Sequence, residues 1–547
     1  MKLTPTLQEF KKLSRPGLRV PVAAILPLES DARSLFSVAG FPSPCVLLES
    51  ARLHPVTGRY SIIAGEPADS LIFRGRGAPA PRHFLGSGDG AASVSAAGDP
   101  FAELERRLAA GRAARVPGFP PFVGGAVGVI GFEAARLLER LTARAEDDLH
   151  LPDLTFLFFD EAIVLDHREK KLWVIALDRS YARAAERIER LVNRLGRVAV
   201  PLPRDGEAGP GTSAAALARF LPGRAFSELF VPARAGKRGE DPSEGRPAGV
   251  GRAVPGWTHR SGGWHGLGSL TSTHTQSSFE AMVRKAKELI TAGEIYQANL
   301  SQRFSAPLAE EPWVLYRRLM EINPSPFAAY ADFGEFQIIS ASPERLLRVR
   351  GDLVETRPIA GTRPKGETAV ETAQLRRELL LNEKERAEHL MLVDLERNDL
   401  GRVCRYDTVR VDDLMGLEEY SHVIHIVSNV RGRLQPGTGL RDLAAALFPG
   451  GTISGCPKIR CLQVIDDLEP VRRHFYTGSL GYLSYTGDMD LNILIRTAVA
   501  SGGRVHVQAG AGIVADSDPA REYEETLHKA RALLEMISPA PREMVEA

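Results

Sequence analysis

The first part of the chain, residues 1–200, contains short runs of apolar residues that predict short β-strands. Val46–Glu49, Tyr60–Ala64 and Leu71–Arg74 are short, mainly apolar segments that look like strands. Tyr181–Leu195 instead has its apolar residues at the spacing of one helix face. We therefore predict a mixture of strands and helices for this region.

Residues 201–277 show neither pattern. Segments such as PLPRDGEAGPGTS and GKRGEDPSEGRPAGVG are rich in glycine, proline, serine and charged residues. This composition is typical of a flexible linker or insertion, and a structureless stretch of this length indicates a domain boundary. We predict an N-terminal region of residues 1–200, a linker or insertion of residues 201–277 and a second domain of residues 278–547.

Periodic patterns return in the second domain. A helix from Phe279 to Gly293 precedes an alternating strand at 294–304, and further helices are predicted for Glu371–Asn398 and Pro519–Ile537. Strands that follow one another without intervening helices indicate antiparallel pairing. The predicted fold class is α+β, with large two-layered antiparallel-type sheets and surrounding helices.

Composition and charge narrow the possible partners and location. The 547 residues carry a formal net charge of +1, which gives no overall field to attract nucleic acid or an anionic membrane. The four cysteines form no CxxC pair, a usage typical of reduced thiols. The opening MKLTPTLQEFKKLSRP has no apolar segment of the secretory kind. We expect a cytoplasmic protein that binds neither nucleic acid nor membrane.

Two groups of acidic side chains share helix faces. Glu522, Glu525 and Lys529 lie on one face of the final helix, and Glu385 and Glu388 lie three residues apart in the earlier one. Solvated surface charge explains either group alone. Carboxylates from both helices together could bind a hard dication, but the spacing does not show that the helices meet.

Other residues have two open interpretations. In VQAGAGIVADS, Gly510 and Gly512 would let backbone amides approach an anion before a helix N-terminus, but they also suit a tight turn. Arg496, in the apolar LNILIRT, is either a charge at a strand end or an anion clamp. His425 is either a core histidine or an acid–base group.

Longer strings of residues 279–540 carry a family resemblance. They include IYQANLSQRF, SASPERLL, ETRPIAGTRPKG, YSHVIHIVS, FPGGTISGCPK, QAGAGIVADS and EYEETLHKA. In this order they resemble the chorismate-utilising enzymes, which comprise anthranilate, aminodeoxychorismate, isochorismate and salicylate synthases. The segment VLLESARLHPVTGRYSIIAGEP is similar to the amino-terminal region of the same family.

The resemblance implies a role for individual residues. Glu388 and Glu525 would hold Mg²⁺, with Glu522 in or next to its coordination shell. Glu344 would be the general acid for the departing 4-hydroxyl of chorismate, a task that requires a desolvated pocket. The implied ligands of the substrate's carboxylates and ring are Gly361, Thr362, Tyr482, Arg496, Gly510, Gly512 and Lys529. His425 would face the enolpyruvyl group, and Thr452 would pack under the ring.

The resemblance also bears on the nucleophile. Relatives that form isochorismate or salicylate use a lysine to activate water, and the matching position here is Gln297, which cannot act as a base. Ammonia is therefore the expected nucleophile. Because the chain contains no glutaminase segment, a separate glutamine amidotransferase subunit is implied as the source of ammonia.

The family motifs divide between two products. Asn299 in QANLSQRF and the SPERLL string are similar to aminodeoxychorismate synthases, whereas YSHVIHIVS and PIAGT are similar to anthranilate synthases. Ala360 departs from those aminodeoxychorismate synthases that use a lysine covalently at this position. We expect 4-amino-4-deoxychorismate, with anthranilate as the alternative. Residues resembling the tryptophan pocket of feedback-inhibited relatives are Leu48, Glu49, Ser50, Asn323, Pro324 and Ser325.

Overall fold

A computed structural model of the chain describes most of the sequence. The described residues are 1–52, 58–75, 98–196, 252–253, 270–366, 368–419 and 423–538. Most of the predicted linker (201–251 and 254–269) lies outside them, while its residues 252–253 and 271–272 form short strands. None of the helices in the described part of the chain combines the length and the apolar character needed to cross a bilayer.

The described residues form 24 strands. They are β1 Leu3–Thr4, β2 Val20–Pro27, β3 Cys45–Glu49, β4 Tyr60–Gly65, β5 Asp69–Phe73, β6 Gly125–Ile130, β7 Leu154–Phe159, β8 Glu161–Asp166, β9 Lys171–Asp178, β10 Arg252–Ala253, β11 Thr271–Ser272, β12 Gln297–Pro307, β13 Phe327–Asp332, β14 Phe336–Ser342, β15 Arg345–Arg350, β16 Leu353–Arg357, β17 Ile359–Pro364, β18 Arg410–Glu419, β19 Val423–Arg433, β20 Gly455–Cys456, β21 Ser479–Ser484, β22 Met489–Asn492, β23 Thr497–Ser501 and β24 Arg504–Ile513.

Twelve α-helices and one short 3₁₀ helix, Phe132–Leu137, accompany the described strands. The α-helices are α1 Leu7–Leu13, α2 Ala32–Ala39, α3 Pro100–Ala110, α4 Tyr181–Gly196, α5 Gln276–Thr291, α6 Pro312–Ile322, α7 Ala369–Leu381, α8 Glu383–Gly401, α9 Leu440–Leu447, α10 Gly451–Ser454, α11 Lys458–Leu468 and α12 Pro519–Ile537.

The strands build two antiparallel sheets. The larger, sheet one, has 14 strands in the order β1-β2-β9-β8-β4-β3-β13-β14-β23-β24-β12-β11-β10, with β20 also paired to β12. Sheet two has 10 strands in the order β17-β19-β16-β15-β22-β21-β6-β7-β5, with β18 also paired to β19. Strands from residues 1–200 and from residues 278–547 lie in both sheets, so the two parts of the chain share one framework.

Alternating side chains of sheet one bury both of its faces. Val46 and Ile62 belong to a core that also contains residues of sheet two, such as Phe156. Their neighbours Leu47 and Ile63 belong to a second core, with residues of the helices α4, α5, α6 and α12. Since successive strand residues face opposite sides, this pattern gives two sheets packed face to face and a helical layer outside sheet one. The predicted α+β class with two-layered antiparallel sheets is confirmed.

The helix predicted for Glu371–Asn398 is in fact two helices, α7 and α8. Asn382 separates them with an extended backbone (ψ 111°); its amide donates to the Glu378 carbonyl and its side chain accepts from the Glu385 amide. An asparagine that bonds to backbone groups in this way competes with helix continuation. The pattern of charged residues continues across Asn382, so the sequence predicted one helix where the structure has two.

Candidate active site

The two glycines predicted to bind substrate lie on β24, which pairs with β12 along Ala298–Pro307. A Cβ atom on Gly510 would lie 2.8 Å from Asn299 Oδ1, and one on Gly512 would lie 2.7 Å from Gln297 Nε2. At Gly510 a side chain would also meet the Leu300 carbonyl, 2.8 Å from the Cβ position, so this residue must be glycine for the strands to pack as they do. The β24 backbone is therefore bare at one end of the β12–β24 pair.

Arg496 lies directly before β23 and has a left-handed backbone with φ 51°. This conformation is strained for a residue other than glycine, and such residues cluster at functional sites. Its side chain is partly buried, and burial lowers the pKa of its guanidinium. Among the described residues, no carboxylate lies within ion-pairing distance of this guanidinium. A partly buried cation with no carboxylate at ion-pairing distance among the described residues fits an anionic ligand.

Tyr476, rather than the predicted Tyr482, is the tyrosine of this site. Its hydroxyl would lie 2.8 Å from a Cβ on Gly510, its side chain hydrogen-bonds with that of Asn299, and burial raises its pKa to about 12. Tyr482 points instead into the core between the sheets, against Phe122, with ring centroids 5.3 Å apart. The sequence alone does not distinguish these two tyrosines, which are six residues apart.

The lysine of the final helix bridges α12 and β24. Lys529 Nζ donates to the Gly510 carbonyl over 3.1 Å and pairs with Glu525 Oε1 at 2.6 Å, as the i, i+4 spacing allows. Thr526, on the same helix, accepts a hydrogen bond from Gln302 of β12 and so ties α12 to the sheet. The predicted Glu525, Lys529 and Gly510 therefore meet at one place.

Glu388 and Glu522 bring the two predicted acidic helices to the same region. Gln297 Nε2 donates to Glu388 Oε1 over 3.4 Å, and Lys529 acts electrostatically on both glutamates. Burial, and then repulsion from Glu385 for Glu388 and from Glu525 for Glu522, raises the pKa of each carboxyl. Sequence spacing could not establish this meeting of α8 with α12.

The carboxylates fit a hard dication in charge and in ligand type. Partly buried carboxylates with raised pKa values are short of positive charge, and oxygen ligands suit Mg²⁺. Within the described ranges, however, no three side chains of the His, Cys, Asp and Glu types are grouped to hold a metal by themselves. Glu388, Glu522 and Glu525 would therefore need oxygen atoms of a substrate or water to complete a coordination shell.

Glu344 is the most strongly perturbed carboxyl of the predicted set. It is buried in the connection between β14 and β15, and burial, followed by the negative charge of Glu396, raises its pKa to about 8. Thr452 of α10 and the Ile359 amide face it and partly offset this effect, although the Thr452 hydroxyl forms no hydrogen bond of normal geometry. Glu344 is therefore largely protonated near pH 7, as a general acid requires.

His425 of β19 lies beside Gly361, which occupies an irregularity in the pairing of β17 with β19. His425 is in register with Thr362, and its ring hydrogen-bonds with the backbone of Gly361. Burial, and then the positive charge of Arg496, lowers the pKa of His425 to about 4, so its imidazole is neutral at physiological pH. A neutral imidazole beside Arg496 can orient a polar substrate group without adding charge.

Comparison with known sequences identifies the family. The family model described as chorismate binding enzyme matches residues 70–219 and 259–535, which is more than half of the chain. The chain belongs to the chorismate-binding enzyme family. This chorismate-binding enzyme therefore acts on chorismate, and the resemblance inferred from its motifs is confirmed.

Individual relatives of this chorismate-binding enzyme divide between two activities. The aminodeoxychorismate synthase component 1 of Bacillus subtilis is 38% identical over 519 residues, covering 94% of this chain and 96% of the relative. The anthranilate synthase component 1 of Streptomyces coelicolor is 43% identical over 442 residues, covering 80% of this chain and 77% of the relative. The crystal structure of anthranilate synthase component I from Streptococcus pneumoniae TIGR4 matches with a TM-score of 0.66 and 32% identity, over 88% of this chain and 94% of that one.

A second cavity of the chorismate-binding enzyme, with a volume of about 630 Å³, lies between the sheets. Its lining includes the predicted Leu48, Glu49 and Ser50, and also Tyr482. The predicted Asn323, Pro324 and Ser325 are not among the residues that line this cavity. The residues that follow them in the chain, 326–329, form part of its wall. Charged side chains that line this cavity are Glu49, Arg59, Arg168, Arg345, Arg348, Arg350, Asp488 and Asp490.

Proposed function

We propose that this enzyme aminates chorismate with ammonia to form 4-amino-4-deoxychorismate. The observation that carries the proposal is the buried Glu344, which holds its proton near neutral pH beside Thr452. Hydroxide is a poor leaving group, so the 4-hydroxyl of chorismate needs a proton donor as its carbon–oxygen bond breaks. Glu344 gives that proton, water leaves, and the proton that ammonia loses on forming the carbon–nitrogen bond restores the acid.

The remaining residues bind and orient the dianionic substrate. The Arg496 guanidinium and the bare backbone at Gly510 and Gly512 suit carboxylates, and Lys529 adds a second cation next to them. Tyr476, against Gly510, offers a hydroxyl donor at the same place. When both carboxylates of the substrate are held, its ring faces Glu344 in one orientation. This orientation lowers the reaction barrier more than the individual contacts do.

Mg²⁺ is proposed as the cofactor, held by Glu388 and Glu525 with Glu522 next to them. When bound, the ion would act as a Lewis acid on a substrate carboxylate. Titration calorimetry should detect Mg²⁺ binding that weakens at least about tenfold in both Glu388→Gln and Glu525→Gln, because each change removes a charged ligand. Unchanged Mg²⁺ affinity together with unchanged turnover in both variants would rule out this assignment.

Ammonia is the proposed nucleophile because Gln297 lies at the position where the family resemblance places the lysine that activates water. Gln297, which occupies the relevant position on β12, is a neutral amide whose Nε2 donates to Glu388. Ammonia needs no such activation at its lone pair. Its proposed source is a separate glutamine amidotransferase subunit, consistent with the component I names of the relatives in Bacillus subtilis and Streptomyces coelicolor.

The alternative product is anthranilate, formed with release of pyruvate. Both activities are represented among relatives of similar identity, so the product is tested directly. Purified enzyme is incubated with chorismate, Mg²⁺ and an ammonium salt. We expect a non-fluorescent product that yields p-aminobenzoate only after an aminodeoxychorismate lyase is added. Fluorescent anthranilate with an equal amount of pyruvate would overturn the proposed product in favour of the alternative.

The second cavity supports an additional role as an amino-acid sensor. The arginines that line the cavity suit a carboxylate, and its acidic residues Glu49, Asp488 and Asp490 suit an ammonium group. Its aromatic residues suit an aromatic ring; they are Tyr60, Phe119 and Phe327. We propose tryptophan as its ligand. Tryptophan should then lower turnover in the wild type and lose its effect in Ser50→Phe, which fills the cavity. If tryptophan binding is undetectable by calorimetry, the proposal for this cavity fails.

A further inference from the structure

Glu396 is a buried glutamate that the proposed reaction does not use. It lies in α8 and is only 4% exposed, although glutamate is rarely buried without a partner. Its carboxyl faces the Thr356 hydroxyl of β16 and the backbone amide of Gly451 in α10. A Cβ atom on Gly451 would lie 3.9 Å from Glu396 Oε1, so the carboxyl lies directly against this turn.

The same turn carries the residue that faces the general acid. Gly451 is followed by Thr452, whose side chain faces Glu344, so Glu396 and Glu344 approach α10 from two different elements. Both carboxyls are at most 5% exposed, and the charge of Glu396 acts on Glu344. Burial raises the pKa of both carboxyls, while the hydrogen bonds that Glu396 accepts from the Thr356 hydroxyl and the Gly451 amide favour its ionised form.

The other charges near Glu396 oppose each other. Asp399, one turn further along α8, raises the pKa of Glu396, whereas Lys458 lowers it. Lys458 Nζ is itself held 2.5 Å from Asp399 Oδ2 and 3.2 Å from the Ala446 carbonyl. Because the ammonium group of Lys458 is paired with Asp399, it does not cancel the negative charge of Glu396. That charge therefore acts on Glu344.

We propose that Glu396 is a positioning residue for the general acid, and that its buried negative charge, held against the α10 turn, keeps the proton on Glu344. This inference rests on the proposed acid role of Glu344. Once Glu396 is ionised, loss of the Glu344 proton would create a second negative charge in the same desolvated region. The two carboxyls therefore retain one proton between them, and Glu344 is where it resides.

The test is the pH dependence of ammonia-dependent turnover in Glu396→Gln. Because ammonium also titrates, each assay is set to the same concentration of free ammonia, with saturating chorismate and Mg²⁺. The amide keeps the size and polarity of Glu396 but not its charge. We expect the alkaline midpoint of kcat to move down by on the order of one pH unit, with kcat below the midpoint reduced less than about threefold.

Two further variants separate charge from structure. Glu396→Asp keeps the charge one methylene further from the turn, so its midpoint should lie between those of the wild type and Glu396→Gln. It also provides the test if Glu396→Gln fails to fold. Glu133→Gln is the matched control, since Glu133 is 6% exposed but is not among the charges that act on Glu344. Its midpoint should equal that of the wild type.

The outcomes distinguish this inference from the proposed function. An alkaline midpoint that stays at the wild-type value in both Glu396 variants would overturn the positioning role. The general-acid proposal would survive that result as long as Glu344→Gln is inactive. Full activity of Glu344→Gln would overturn the acid role itself, whatever the Glu396 variants do.

Discussion

Glu344 illustrates at the residue scale how function and stability oppose each other. Its pKa in the folded protein is about 8, above the ordinary glutamate value of 4.5. The folded state therefore binds a proton that the unfolded state releases. This contribution to stability is complete below about pH 4.5 and is lost as the pH rises through about 8. A side chain that is neutral at every pH would abolish both this pH dependence of stability and the general acid.

We accordingly predict two opposite effects of Glu344→Gln. Turnover with ammonia should fall by at least about 100-fold, as expected for loss of a positioned general acid. The melting temperature above about pH 8 should rise relative to the wild type, because no buried charge forms. Scanning calorimetry at several pH values measures the second effect. A melting temperature that falls equally at all pH values would indicate lost packing instead.

Asn299 is the residue we expect to influence the site of amination. It is buried on β12, where Nδ2 donates to the Ile453 carbonyl over 3.0 Å and the side chain contacts Tyr476. An error of about 1 Å in the approach of ammonia can cost on the order of 100-fold. We predict that Asn299→Val diverts part of the flux to anthranilate, measured as the ratio of the two products.

The ratio is informative even where total turnover falls. If Asn299→Val loses activity with no change in the product ratio, Asn299 has no steering role. Ala360, only 8% exposed on β17, provides the companion test. Since its methyl group offers no nucleophile, Ala360→Lys should not be needed for formation of 4-amino-4-deoxychorismate. A product that appears only in this lysine variant would contradict direct attack by ammonia.

At the scale of elements, the break at Asn382 sets where α8 begins and hence where Glu385 and Glu388 lie. The Asn382 side chain accepts from the Glu385 amide over 3.0 Å. We predict that Asn382→Ala lowers the free energy of unfolding by about 1 kcal/mol, the usual value of an N-cap. It should also raise the Mg²⁺ concentration needed for half-maximal activity, because the first turn of α8 would fray.

Thr368→Ala is the matched control for that prediction. Thr368 caps α7 in the same way, accepting from the Glu371 amide over 3.1 Å. Its loss should cost a similar free energy of unfolding, measured by denaturant titration, without changing the Mg²⁺ requirement. Equal changes in the Mg²⁺ requirement for both variants would show that general loosening, rather than the start of α8, is responsible.

At the scale of the whole molecule, the proposal that a separate amidotransferase subunit supplies ammonia to this chain gives a direct prediction. The isolated chain should be inactive with glutamine as its only nitrogen source. Ammonium salts at alkaline pH, where free ammonia accumulates, should restore turnover. Product formation is followed by chromatography with each nitrogen source in turn. Glutamine-dependent activity of the pure single chain would contradict the proposal of a separate amidotransferase subunit.

The sequence by itself determined those features that depend on local periodicity and on motif strings. The short apolar segment Val46–Glu49 and the helical spacing in Tyr181–Leu195 anticipated β3 and α4, and the final helix at Pro519–Ile537 has the predicted bounds. The family strings led to chorismate, a conclusion that the family match confirms. These signals are readable because neighbouring residues alone decide which face of an element each side chain occupies.

Only the tertiary structure decided which of these residues meet. Tyr476 lies against Gly510, whereas Tyr482 of β21 packs against Phe122 in the core between the sheets. Glu396 had no sequence signal, since one glutamate in a charged helix is indistinguishable from its solvated neighbours until burial is known. Its pKa, like that of Glu344, depends on desolvation and on charges from distant parts of the chain. Such effects arise from packing between elements, and no local pattern encodes them.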